Sequence, residues 1–340
     1  MNPPANVVPH AVKPVWRDVA PVVFADTILV AAANLGVQPL AVEKDYWVCE
    51  ALRAVERAAP NQVMFKGGTS LEKLRIIQRF SEDLDLLVVS TYDNERAAKR
   101  SMKGMCQAAA QATCADLAEE KGGGNLGAQW RHAYLSPQLQ HGADEASSIA
   151  DPGRILLEFG QSGGTLPSSR RQVESLLTRE LIDGNFDVSE FGDLEPFETS
   201  ILHPGRTLVE KLLRMNNFAL MSAAQRSSHG WPRIGRQFYD LWALLANGEV
   251  RTFLSDRPLA IEVLQDCYRV SEAFVPDREQ PTGGFALSPV FAPDGLLTPT
   301  LEREHERAMQ DLYYGANPPT FRDVIDRVAE NRDLLNISCQ

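Results

Sequence analysis

The sequence predicts a mixed α/β (α+β) fold with a helical C-terminal region, and three observations predict it. Short apolar, strand-like runs alternate with amphipathic helical patterns up to about residue 200. Beyond that point the periodicity is mainly helical. A glycine pair, Gly67-Gly68, stands where a strand pattern meets a helical one. The expected organisation is a flexible or loosely docked arm over residues 1–15, an α/β domain over 16–200 and a helical domain over 201–340.

Each element has its own signal. Apolar residues at helical spacing run from Trp16 to a stop at Gly36, and a second amphipathic helix follows, ended by Pro60. QVMF (62–65) reads as a short strand. TSLEKLRIIQRF (69–80) reads as a helix opened by a Thr/Ser cap just after the two glycines. DLDLLVV (83–89) is strand-like, and an Ala-rich helix is expected over roughly 94–120, stopped by KGGGNLG. AQWRHAYLS and GRILLEFGQ read as two further strands, and Gly, Ser and Pro over 160–170 mark a loop. Helical patterns then cover 206–226, 236–247, 257–274, 301–314 and 321–331, with a long Pro/Gly-rich loop over 276–300. No repeat appears at a solenoid period.

Composition narrows the class. With 44% hydrophobic and 23% charged residues, 340 residues can bury a sizeable core. The net charge of -11 excludes a basic nucleic-acid coat, although a local basic path remains open. Five scattered cysteines show no zinc spacing and suit a reducing compartment. Pro and Asn interrupt the N-terminus where a signal peptide needs an apolar run, and no stretch has the length of a membrane span. The expectation is a cytoplasmic protein with no membrane partner.

The chemistry-bearing pattern begins at Asp83-Leu84-Asp85. Side chains alternate along a strand, so both aspartates share one face and Leu84 and Leu86 share the other. Neighbouring carboxylates repel, and a divalent oxygen-seeking ion such as Mg²⁺ or Mn²⁺ turns that conflict into a site. An isolated D-x-D also describes a polar strand edge. The glycines tip the balance: Gly67 and Gly68 permit close approach, the following helix offers free N–H groups to an anion, and Thr69 and Ser70 add hydroxyls. Neither GxxxxGK[ST] nor GxGxxG is present. A phosphate seat one helix ahead of a metal-holding strand describes a nucleoside triphosphate held against a divalent cation.

Gly67-Gly68-Thr69-Ser70 followed by Asp83-Leu84-Asp85-Leu86 resembles the signature of the DNA polymerase beta nucleotidyltransferase superfamily. More narrowly, FKGGTSLEK…RFSEDLDLLV resembles the AbiEii/AbiGii (MenT-like) toxins of bacterial toxin–antitoxin and phage-defence operons. VEKDYWVCEALRAV (42–55), TLVEKLLRM (207–215) and RQFYDLWALL (236–245) resemble other parts of that family, so the likeness covers roughly residues 40–330. It implies a nucleotidyltransferase fold, NTP as substrate, tRNA 3′ ends as acceptor, arrest of translation and a cognate antitoxin; no DNA partner is expected. A protein hydroxyl, a small molecule such as an aminoglycoside, and a non-catalytic nucleotide-binding module stay open as alternatives.

Asp83, Asp85, Glu158, Lys211 and Asp240 are the candidate catalytic residues, with Asp83 and Asp85 as metal ligands. Lys66, Gly67, Gly68, Thr69, Ser70, Lys211 and Arg214 are the candidate nucleotide-binding residues. Glu158, in the strand RILLEFG, either assists a metal or activates the acceptor hydroxyl, or is an exposed strand residue. Asp240 lies among Phe238, Tyr239, Leu241 and Trp242 and needs a partner, with Lys211 the nominee. Gln237 departs from the acidic residue that the resemblance leads one to expect there. Arg79 either pairs with a carboxylate or contacts nucleotide, Lys66 and Lys73 flank the seat, and Lys44 and Asp45 are read as structural. Arg170, Arg171, Arg226, Arg233 and Arg236 form either a path for RNA phosphates or scattered surface charge. No histidine has ligand spacing, and Tyr239, Trp242, Tyr313 and Tyr314 are expected in the core.

Overall fold

The computed structural model describes residues 13–119, 130–142, 149, 151–160, 163–272 and 281–338. The arm expected over 1–15 lies outside the described residues as far as residue 12. Its end is docked: Lys13 pairs with Glu195 at 2.8 Å, and the Pro14 carbonyl accepts from the Gly192 amide.

The first part of the chain runs α1 (Trp16–Val19), α2 (Pro21–Leu35), α3 (Pro39–Ala58), β1 (Val63–Lys66), α4 (Gly67–Lys73), β2 (Leu84–Val88), α5 (Glu95–Ala112), β3 (Asp116–Glu119), β4 (Trp130–Ser136), β5 (Ile155–Gly160), β6 (Ser168–Val173), α6 (Leu176–Asp183) and β7 (Phe197–Leu202). Among the described residues the strands form one mixed sheet in the order β3-β4-β5-β2-β1-β7-β6. The β2–β5 and β1–β7 pairs are parallel and the other neighbours antiparallel. The mixed α/β expectation holds. One sheet face is apolar: Val63, Phe65, Leu84, Leu86, Leu157 and Phe159 pack with Val48, Leu52 and Val55 of α3 and Met102 and Cys106 of α5. The other face begins with a small cluster, Met64, Leu87 and Leu202, and becomes polar further along the strands.

The remainder is helical: α7 (Pro204–Leu220), α8 (Ala223–His229), α9 (Trp231–Ala246), α10 (Gly248–Ser255), α11 (Arg257–Glu272), α12 (Thr298–Leu312), α13 (Phe321–Glu330) and α14 (Arg332–Leu335). Leu208, Leu212, Phe238, Leu241, Leu264, Leu301 and Val324 share its core. Capping boxes start α8, through Ser222 and Gln225, and α13, through Thr320 and Asp323. A β-carbon on Gly235 would lie 2.2 Å from the Glu304 carbonyl oxygen, so α9 meets α12 at backbone distance there. That close approach fixes the helix carrying Arg236, Gln237 and Asp240.

Several expectations are corrected. The helix begun at the glycines ends at Lys73 and not near Phe80, because a tight turn puts Arg75 at φ 57°. Its N-cap is Lys66, with no side-chain cap. The Ala-rich helix stops at Ala112, and β3 follows it. The KGGGNLG stop lies outside the described residues. The loop over 276–300 is packed where described: two short 3₁₀ turns, Phe285–Leu287 and Pro289–Phe291, bury Phe285, Val290 and Phe291 in the helical core. No single helix among the described residues is long and apolar enough to cross a membrane.

Candidate active site

Strand register builds the site. Lys66 faces Asp85 across the antiparallel β1–β2 pair, Asp85 faces Glu158 across the parallel β2–β5 pair, and Glu158 faces His132 on β4. Four strands thus place Lys66, Asp85, Glu158 and His132 in one row on one face. Asp83 precedes Asp85 by two residues, on the same side, at the entry to β2. Leu84 and Leu86 point into the core on the opposite face, as the alternation requires.

Lys66, Asp85 and Glu158 of this row floor a cavity of about 330 Å³. Lys66, Gly67, Gly68, Asp83, Asp85, Glu158, Lys211 and Arg214 all line it, so most of the predicted site residues converge. Three do not reach it. Thr69 and Ser70 are buried; Thr69 Oγ1 donates to the Asp83 carbonyl at 2.6 Å, and Ser70 Oγ donates to the Gly67 carbonyl at 2.9 Å. Their hydroxyls hold the glycine turn to the start of β2. Asp240 is fully buried behind the cavity wall.

The glycines serve the site in a way the sequence did not reveal. A β-carbon on Gly67 would stand 1.9 Å from Asp85 Oδ2, and Gly67 has φ 77°. A β-carbon on Gly68 would stand 2.8 Å from Arg79 Nη2 and 2.9 Å from Ser81 Oγ. The bare backbone therefore makes room for the acid and for Arg79. Gly67→Ala should displace the Asp85 carboxylate and force a left-handed alanine, which costs about 1 kcal/mol or more in backbone alone. The expected result is a folded protein with a lower melting temperature and at least tenfold lower activity. Full activity in that variant would show that Asp85 does not need its present position.

Behind the cavity lies a buried charge hub. Arg79 donates to both Asp240 oxygens, from Nε at 2.6 Å and Nη2 at 2.7 Å. Lys211 Nζ donates to Asp240 Oδ2 at 2.8 Å and to Gln237 Oε1 at 2.6 Å. The nominated Lys211–Asp240 pair exists, and Arg79 joins it. Gln237 acts as a neutral acceptor for Lys211. Burial pushes the Asp240 carboxyl up, but Arg79 and then Lys211 overcome this and hold it well below the usual carboxylate range. Burial lowers the Lys211 ammonium, Asp240 opposes this, and the net direction is down.

On the sheet side, burial and then Asp85 push the Asp83 carboxyl up to about 6. Burial and Asp85 also raise Glu158. His132 Nε2 lies 3.8 Å from Glu158 Oε2. It was not singled out, because the signal that places it is strand register and not ligand spacing.

Two more cavity residues carry unused polarity: Thr207 Oγ1 and Arg236 Nε are buried without a hydrogen-bond partner among the described residues. Arg236 faces Asp83 electrostatically, and burial lowers its basicity, with Arg79 adding to the effect. Of the other arginines once considered for an RNA path, Arg170 binds Glu56 and Asn61, Arg171 binds Glu249, and Arg226 binds the carbonyls of Ala219 and Met221. The Arg233 side chain lies outside the described residues. Lys73 is buried against Asp45 and Glu72, away from any phosphate seat, and Lys44 pairs with Glu82.

The family model for the nucleotidyl transferase AbiEii toxin of type IV toxin–antitoxin systems matches residues 50–327. The chain belongs to the AbiEii toxin family. Comparison with curated proteins gives no match. This AbiEii-family chain is thereby a toxin-type nucleotidyltransferase of a toxin–antitoxin system, with a cognate antitoxin as its implied partner.

Nucleotidyltransferases generally use a divalent metal, and the cavity can be tested for one. Among the described residues no group of three or more His, Cys, Asp or Glu side chains could hold a metal ion by itself. Asp83 and Asp85 nevertheless offer two hard oxygen donors whose mutual repulsion is only partly offset, by Arg236 and Lys44. That donor set fits Mg²⁺, which takes one or two carboxylates and completes its shell with water and substrate phosphates.

Proposed function

We propose that this toxin transfers a nucleoside monophosphate from an NTP to the 3′ end of tRNA and so blocks aminoacylation and translation. The observation that carries the transferase part is the gathering of carboxylates and cations in one cavity: Asp83, Asp85 and Glu158 lie on the sheet floor with Lys66, and Lys211, Arg214 and Arg236 project from α7 and α9 with Glu210. A metal–triphosphate complex offers partners to both kinds of group. The tRNA acceptor rests on the motif resemblance alone.

Asp83 and Asp85 would hold Mg²⁺ or Mn²⁺, which supplies charge neutralisation at the α-phosphoryl group. Lys211 and Arg214 bind the β- and γ-phosphates as fixed cations. Arg236 Nε and Thr207 Oγ1 gain phosphate-oxygen acceptors that they lack among the described residues. The acceptor hydroxyl oxygen bonds to the α-phosphorus, the bond to the bridging oxygen breaks, and pyrophosphate leaves with its charge countered by Lys211. Glu158, whose raised proton affinity suits a base, takes the hydroxyl proton.

The test offers each α-³²P-labelled NTP with Mg²⁺ to total RNA, protein and small-molecule fractions. Label at tRNA 3′ ends is the expected result, and sequencing of tRNA ends in cells arrested by the protein should show the same addition. Label on protein or on a small molecule would replace the acceptor and keep the chemistry. Growth arrest that persists unchanged in Asp83→Ala, with no label anywhere, would point to a binding module without turnover.

A further inference from the structure

We propose that Tyr239 and Tyr314 are positioning residues for the cation site: together they clasp the segment that leads into Asp83 and the helix that begins at Gly67-Gly68. The inference rests on the nucleotidyltransferase reading, in which Asp83 and Asp85 hold the cation, and names what in the helical part of the chain aims Asp83.

The segment before Asp83 is the first argument. Gln78, Arg79 and Phe80 lie outside the sheet strands, yet each is bonded to the helical part of the chain. The Gln78 amide donates to Tyr239 Oη at 2.8 Å, and the Gln78 carbonyl accepts from the Tyr314 amide at 3.0 Å. Arg79 forms an isolated antiparallel bridge with Tyr313 and sends its side chain to Asp240. The Phe80 amide donates to the Leu312 carbonyl at 2.8 Å. Phe80 stands three residues from Asp83, at most about 11 Å of chain. Lys44 Nζ donates to Glu82 Oε2 at 3.2 Å, so the stretch between is held at both ends. Arg79 and Ser81, within it, line the cleft.

Tyr314 also reaches the glycine side. Its hydroxyl donates to Glu72 Oε1 on α4 at 2.6 Å, and from the same helix Thr69 Oγ1 donates to the Asp83 carbonyl at 2.6 Å. One residue thus bonds to the helix that grips Asp83 and to the segment that delivers it. The neighbouring rings straddle the two cores: Tyr313 packs on the helical one, edge-on to Tyr239 at 5.4 Å, and Tyr314 packs on the one under the sheet. A tyrosine ring serves any core, but its buried oxygen needs a partner, and both oxygens here are directed to the frame of the site. Charge neutralisation does not require the Tyr314 hydroxyl, because Glu72 keeps Lys73 and Arg179 without it. What the hydroxyl adds is the link.

Tyr239→Phe, Tyr314→Phe and the double variant remove oxygens and leave the rings. Tyr92→Phe, which loses a hydrogen bond to Ser101 away from the cleft, is the control. Mn²⁺ binding without NTP is followed by the paramagnetic resonance signal of the free ion, and label transfer from NTP is followed over a range of Mn²⁺ concentrations. In the double variant the Mn²⁺ dissociation constant and the Mn²⁺ concentration for half-maximal transfer should both rise about tenfold. Saturating Mn²⁺ should restore most of the transfer rate, and Tyr92→Phe should match wild type throughout. A folded double variant with wild-type Mn²⁺ affinity and Mn²⁺ dependence, whatever its melting temperature, overturns the clasp and leaves the transferase reading standing. So does a wild type that transfers label and binds no Mn²⁺. A wild type that neither binds Mn²⁺ nor transfers label overturns both. If the double variant does not fold, the two single variants carry the same comparison.

Discussion

Asp83→Asn is expected to abolish transfer while making the ligand-free protein more stable at neutral pH. The activity side follows from the donor set: Asn removes the charge of one of the two carboxylates proposed to hold the cation. A metal contributes several kcal/mol to stabilising the charge of such a transition state, so a loss of about a thousandfold is the expected scale. The stability side follows from linkage. Burial and Asp85 raise the folded Asp83 carboxyl to about 6, above its unfolded value near 4. Below pH 4 both states are protonated and the site costs nothing. Between pH 4 and 6 the unfolded chain releases its proton first, and above 6 the folded state carries the full penalty, roughly 2–3 kcal/mol. Asn removes that penalty, so the variant should melt higher than wild type at pH 8 and show little difference at pH 4. Mg²⁺ competes with the same proton, so its stabilisation of the wild type should be large at pH 8, weak at pH 5 and absent in Asp83→Asn. Thermal melts at these pH values, with and without Mg²⁺, check the whole set. A variant that melts lower than wild type at pH 8 would remove the physical basis for a cation site here.

The parts of this site that were legible in the sequence are those set by local geometry. The one-residue spacing of Asp83 and Asp85 fixes their common face, whatever the tertiary structure. Glu158 is placed by the same alternation, although its register against Asp85 is a long-range fact. The strands that went unread, β3, β6 and β7, lie toward the two edges of the sheet and carry weak apolar patterns. DLAE is mostly exposed, SSRRQV buries only Val173, and FETSIL buries only Thr199, Ile201 and Leu202, one of them polar. The misjudged Thr/Ser cap has a local cause: Gly67, at φ 77°, lets the helix begin at the glycines, and the hydroxyls are drawn to the Asp83 and Gly67 carbonyls. Arg79 and Asp240 are 161 positions apart, and no periodicity links them. The cost of an unpaired buried carboxylate, with the motif resemblance, signalled Lys211 as the partner of Asp240, while Arg79 stayed divided between a carboxylate and the nucleotide because nothing local ties it to position 240.

The Arg79–Asp240–Lys211 hub allows structural and chemical roles to be separated, because its members differ in what they touch. Asp240 is fully buried and does not line the cavity, while Lys211 and Arg79 do. Asp240→Ala strands two buried cations at once. Removing one partner of a buried pair typically destabilises by about 3–5 kcal/mol, so this variant should unfold at markedly lower urea or fail to accumulate. Lys211→Met leaves Asp240 with both Arg79 hydrogen bonds and replaces the ammonium stem with an apolar side chain of similar length. Its stability should stay within about 1–2 kcal/mol of wild type. Its transfer rate should nevertheless fall by at least a hundredfold if Lys211 is, as proposed, the cation that counters the leaving phosphates. The hub also predicts an acid limit. Because Arg79 and Lys211 hold the Asp240 carboxyl below its ordinary range, its contribution is complete above the unfolded carboxylate value and disappears only in strong acid. Acid titration of wild type should therefore show a stability loss below about pH 4 that is absent in Asp240→Asn, if that variant folds. If Lys211→Met instead unfolds as readily as Asp240→Ala and, where folded, transfers label at the wild-type rate, Lys211 is a structural counterion and the leaving phosphates must be met by Arg214 and Arg236.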